Sequence, residues 1–146
     1  MNAAVRSGDV VVIEWSVKQS LLGYLARSES FGWTLDGGAA FDPATGATIP
    51  AVVAEGGAIV ATGSVRLSAH DGALVVPLVA VRIAEGVLTV DDPVEPGRRM
   101  PLVALTPVPA EQGLRWTTAL SHEADVLFLH NYLPGAAFDE LIVRPA

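Results

Sequence analysis

The chain has 146 residues, 51% hydrophobic and 17% charged, which is enough apolar material for one domain around a single core and excludes a disordered chain. A net charge of −7 sets the surface against phosphate backbones, so no nucleic-acid partner is expected. With no cysteine, disulfides, thiolate metal sites and cysteine nucleophiles are excluded.

Fourteen glycines and ten prolines favour short strands and turns over long helices. The first residues, Met1 to Asp9, lack the apolar stretch of a signal peptide. The longest apolar run, Ala73 to Val81, is broken by Pro77 and is too short for a membrane span. As given, the chain reads as cytoplasmic; the alternative is a domain excised from an exported cell-envelope protein.

In chain order, Val10 to Trp15 is an apolar, β-branched run, expected as a strand buried on both faces or nearly so. A helix follows up to Leu25. Val17, Leu21 and Leu25 recur four residues apart as one apolar stripe, and Ser16 is placed to cap its start. Ser16, Ser20, Gly23 and Arg27 form a neighbouring face of small and polar residues, with Tyr24 on the border. Phe31 to Leu35 is a short strand ending at the turn signal Asp36-Gly37-Gly38, and Phe41 to Pro50 reads as a loop or irregular hairpin.

From Ser64 to His70 polar residues alternate with Val65, Leu67 and Ala69, the clearest strand pattern in the chain. Asp71-Gly72 then supplies a tight turn. A return strand is expected from Ala73 to about Ile83, with Pro77 requiring an edge or a bulge. Glu85-Gly86 turns into Val87–Val90, which would complete a three-strand meander. Met100 to Leu105 and Leu114 to Leu120 are further strands, with a loop from Pro107 to Gly113. A short helix begins near Ser121 and ends by Asn131, before Pro134-Gly135, and Leu141 to Val143 is a last strand. The expected fold is therefore mainly β with two short α-helices, an α+β single domain of antiparallel strands over residues 1–146.

Candidate chemistry is sparse. His122 and His130 are eight apart, without the spacing of a helix-face metal site. Ser20 lacks the glycines of a nucleophile elbow, and nothing supplies an acid or nucleophile beside His70 or His122, so an enzyme is not expected. Tyr24 and His70 remain. Tyr24 is either a core-edge tyrosine with a satisfied hydroxyl or a phenol beside a small-residue face where a flat molecule can lie. His70 is either a solvated hairpin-end histidine or part of a pocket wall that reaches the phenol. Tyrosine is one of the side chains that hold haem iron, and a neighbouring histidine can support it by a hydrogen bond.

The run Trp15-Ser16-Val17-Lys18-Gln19-Ser20-Leu21-Leu22-Gly23-Tyr24 resembles the opening motif of the HtaA domain, the haem-binding module of actinobacterial haem-uptake proteins. Thr62 to Leu74, with His70-Asp71-Gly72 at its turn, resembles the second motif, and Leu120 to Asp139 the C-terminal segment. Leu21 stands where the family usually has an aromatic residue, and Ala69 where it usually has glycine. The resemblance implies a mostly β fold with haem held between helical segments. It implies haem b as cofactor, Tyr24 as axial ligand to ferric iron and His70 as its hydrogen-bond partner. Ser20 would shape the haem face, and Phe31, Phe128 and Tyr132 would be candidate walls. Haem capture, storage or transfer follows, with a haem-transfer protein and a second copy of the chain as candidate partners. The alternative is an interaction or assembly module that keeps the fold without the haem.

Overall fold

In the computed structural model, residues 5–146 are described. The strands are β1 (Val10–Trp15), β2 (Gly32–Asp36), β3 (Ala40–Asp42), β4 (Gly46–Val53), β5 (Ile59–Ala61), β6 (Ser64–Ala69), β7 (Leu74–Leu78), β8 (Arg82–Ala84), β9 (Val87–Asp91), β10 (Arg99–Val108), β11 (Leu114–Leu120) and β12 (Ala137–Pro145). One α-helix, α1 (Gln19–Leu25), follows β1, and 3-10 turns lie at Glu55–Gly57, His70–Gly72 and Glu123–Phe128.

Strand β1 pairs antiparallel with both β12 and β4. Through the order β1-β12-β11-β10-β9-β8-β5-β4 this closes an eight-stranded barrel, with β3 as an extra hairpin arm on β4. Closure removes the free edges that an open sheet would expose. The inward residues follow the two-residue period of a strand: Val11, Ile13 and Trp15 on β1, and Ala47, Ile49, Ala51 and Val53 on β4, are all buried. Val10, by contrast, is 61% exposed. Strand β1 is thus one-sided, not covered on both faces.

Strands β2, β6 and β7 form a separate three-stranded sheet. Val65, Leu67 and Ala69 of β6 and Leu74, Val76 and Leu78 of β7 are buried on its inner face, which joins the barrel interior in one continuous core. The predicted strand from Ala73 to Ile83 is therefore two strands. Its first half pairs with β6, and its second half, β8, crosses into the barrel between β5 and β9. Left-handed Ala80 (φ 53°) turns the chain between them. The expected meander is split across two sheets, and Pro77 sits on an edge strand, where its missing N–H breaks no ladder.

Three other expectations shift. Helix α1 starts at Gln19, because Val17 adopts a left-handed φ of 60° and breaks the backbone there. Ser16 does not cap it; its hydroxyl donates instead to Asp139. The second helix is a 3-10 segment, stopped by two consecutive left-handed residues, Leu129 and His130. Strand β10 runs on to Val108, and β12 spans nine residues, because both find long antiparallel partners in β11.

Candidate functional site

Helix α1 buries Leu21, Leu22 and Leu25 and leaves Ser20, Gly23 and Tyr24 facing outward. Burying each leucine stabilises the docked helix by about 1.5–3 kcal/mol. Seven residues are too few for a helix to persist alone, so its start needs a partner. That partner comes from β12. The Asp139 carboxylate accepts from the Gln19 amide at 2.8 Å and the Ser16 hydroxyl at 2.6 Å. The Asp139 amide donates to the Val17 carbonyl at 2.9 Å. Its own carbonyl accepts from the Trp15 indole and the Thr118 hydroxyl, each at 2.8 Å. Gly46 lets this corner close: a Cβ there would meet the Trp15 carbonyl at 2.7 Å.

At the far end of the helix Tyr24 is 51% exposed. Its hydroxyl lies 3.2 Å from His70 Nε2, with the donor set by the imidazole tautomer. The two rings are tilted at 57° with centroids 5.6 Å apart. His70 reaches across because its backbone is left-handed (φ 53°), as are Asp71 (φ 54°) and Gly72 (φ 90°). For the two residues with a Cβ this conformation costs roughly 1–2 kcal/mol each. The turn is held by Ser30, whose hydroxyl accepts from the Asp71 amide at 2.9 Å. The Ser28 hydroxyl lies 3.1 Å from that of Ser30 and 3.5 Å from the His70 amide.

Across from α1 stands the segment from Glu123 to Tyr132. Together they form a cleft of about 300 Å³ lined by Ser20, Leu21, Tyr24, Leu74, Phe128, Asn131 and Tyr132. Phe128 is fully buried, and it packs edge-on to Tyr132 and Phe138 with centroids 6.0 and 5.2 Å away. Burial pushes the Tyr132 phenol above its ordinary pKa, with the nearby Ser20 side chain acting in the opposite direction. Lys18 Nζ donates to the Ala137 carbonyl at 2.9 Å and stands 5.8 and 5.7 Å from the Tyr132 and Phe138 ring centroids. Behind this lip, Arg98 joins Asp92 and Glu123 by ion pairs of 2.9 Å each.

Four of the six residues singled out from sequence (Ser20, Tyr24, Phe128 and Tyr132) therefore line one cleft, and His70 reaches it through the Tyr24 hydroxyl. Phe31 stands apart from its lining and packs against Trp33 and Phe41, with centroids 5.5 and 6.3 Å away. Larger hollows of about 400 and 600 Å³ lie elsewhere on the barrel, lined by Leu114, Arg115 and Ile142 and by Arg82, Thr89 and Arg99. Neither has an aromatic side chain in its lining, and Arg99 is already committed to Thr89 and Asp91. Sequence reading missed Asp139, Ser28, Ser30, Leu74 and Asn131. Only the Ser28-Glu29-Ser30 spacing, typical of local hydroxyl-to-backbone bonding, carried a readable signal.

No family model matches the sequence, nor does any curated protein. Solved structures do match. The C-terminal domain of HtaA from Corynebacterium glutamicum is 19% identical with a TM-score of 0.68, covering 93% of this chain and 95% of that one. The N-terminal domain of the same protein is 18% identical with a TM-score of 0.69, covering 94% and 97%. Heme binding protein HtaB from the same organism is 17% identical with a TM-score of 0.67, covering 94% of each chain. The chain therefore has the fold of the HtaA domain.

Proposed function

We propose that the protein binds ferric haem b through the phenolate of Tyr24 and serves in haem capture, storage or transfer, as a binder and not an enzyme. The observation that carries this reading is the exposed Tyr24 hydroxyl at 3.2 Å from His70 Nε2 on the rim of an aromatic-lined cleft. A structural neighbour over 94% of the chain is a heme binding protein by name, which supports the same assignment. Residues 1–146 would act as one such domain.

The residues fit a flat, largely apolar ligand with a metal centre. Gly23 has no atom within 4 Å of where a Cβ would stand, so the helix face beside Tyr24 is open to a plane. Leu21, Leu74 and Phe128 offer apolar surface, and Ser20 and Asn131 offer hydrogen bonds at its margin. When bound, haem supplies a ferric Lewis acid that favours an anionic oxygen ligand. Tyr24 is the phenol placed to ligate, because it is half exposed and its hydroxyl has a nitrogen partner. Burial raises the Tyr132 phenol above its ordinary pKa. The His70 imidazole, donating through Nε2, would stabilise the Tyr24 phenolate and orient its lone pairs.

Lys18 is held at Ala137 and over two rings, so it acts in packing the Tyr132 lip. The test is a titration with ferric haem read by absorbance. A saturable one-to-one complex with a tyrosinate-to-iron band is expected. A non-saturating, featureless change would instead favour the interaction module, in which the fold persists without haem.

A further inference from the structure

The left-handed turn that carries His70 is braced from outside its own hairpin. The ladder between β6 and β7 fixes Ala69 opposite Leu74, and within the loop the Ala73 amide donates to the His70 carbonyl at 3.0 Å. Neither contact holds the His70 and Asp71 amides. Those face two hydroxyls on the segment that leaves α1: Ser30 accepts directly from Asp71, and Ser28 lies beside both Ser30 and His70. That segment is tied to the helix, since the Arg27 amide donates to the Tyr24 carbonyl at 3.2 Å and the Ser28 amide to the Leu25 carbonyl at 2.9 Å. The chain that carries the phenol thus also carries the brace for the imidazole.

We propose that Ser30, oriented by Ser28, is a positioning residue that clamps the His70–Asp71 turn in its left-handed form and so fixes the distance between the His70 imidazole and the Tyr24 phenol. The consequence for haem affinity rests on the function proposed above; the clamp itself does not. Its hydrogen bond from Asp71 to Ser30 joins residues 41 apart in sequence. Without it, a hairpin loop whose ends are fixed only at Ala69 and Leu74 is free to swing the imidazole into solvent.

The test compares wild type, Ser30→Ala and Ser30→Thr, first without haem. Amide hydrogen exchange at Asp71 should quicken about five- to tenfold in Ser30→Ala, the worth of one hydrogen bond. The Tyr24–His70 ring NOEs should weaken alongside, and Ser30→Thr should restore both. Unchanged Asp71 exchange with intact ring NOEs would overturn the clamp. In the haem titration Ser30→Ala should weaken binding about fivefold in the wild-type background and less than about twofold in His70→Ala, because a residue acting through His70 has nothing left to position. Equal losses in both backgrounds would show a merely structural role and overturn the proposal. A wild type that does not bind ferric haem sinks the haem assignment, and the clamp is then decided by exchange and NOEs alone.

Discussion

The two tyrosines of the cleft share a side chain and a ligand-sized hollow, yet they sit in opposite surroundings. Tyr24 ends a helix, stands half in water and meets an imidazole. Tyr132 packs against Phe128, Phe138 and Lys18, and burial raises its phenol above the ordinary pKa. One lip of the cleft is thus packed by aromatic rings, while the other presents an accessible hydroxyl beside an imidazole, the side to which the proposed function assigns the iron.

The sharpest way to break this contrast is Tyr24→Phe. Ferric-haem affinity should fall by more than the roughly 10–100-fold typical of losing a supporting residue. Next comes His70→Ala, expected to weaken binding about tenfold while leaving the tyrosinate band of the complex visible; loss of the band altogether would make His70 indispensable for forming the phenolate rather than a supporting partner. Asp139→Ala should act through the fold, costing about 2 kcal/mol in urea unfolding, the upper range for loss of a helix cap, with a loosened α1. An unchanged midpoint would show that the buried leucines alone seat the helix. The smallest effect is expected from Tyr132→Phe, within about threefold in haem affinity, since the ring keeps its packing on Phe128 and Phe138 and only a neutral hydroxyl is lost.

Tyr132 also has a pH signature. Its phenol is raised above the ordinary 10.0 in the folded chain, so the native state holds that proton more tightly than the unfolded one. Its contribution to stability is complete below pH 10.0 and is lost as pH climbs through the higher native value. Tyr132→Phe should flatten this alkaline loss in a series of unfolding midpoints. Identical alkaline slopes in wild type and Tyr132→Phe would show that the phenol is not held by burial.

The same contrast explains what was readable in the sequence. Tyr24 and His70 stood out because their local patterns, a small-residue helix face and an alternating strand ending at Asp71-Gly72, are short-range. Strand β6 was legible for the same reason. The start of α1 was not, because its cap is Asp139, 120 residues away from Gln19. Barrel closure by β1 on both β4 and β12 is equally non-local. The second helix was legible as a short helix but not as a 3-10 one, since its left-handed stop at Leu129 and His130 carries no glycine to announce it. Phe31 looked like a cleft wall in sequence, but just ahead of β2 it packs on Trp33 and Phe41 instead.

The most direct test of the central claim is a ferric-haem titration of Tyr24→Phe and Tyr132→Phe side by side, followed by absorbance. The account predicts that Tyr132→Phe keeps a saturable, tyrosinate-ligated spectrum and that Tyr24→Phe loses it. A tyrosinate spectrum that survives in Tyr24→Phe and disappears in Tyr132→Phe would contradict it and move the ligand to the other side of the cleft.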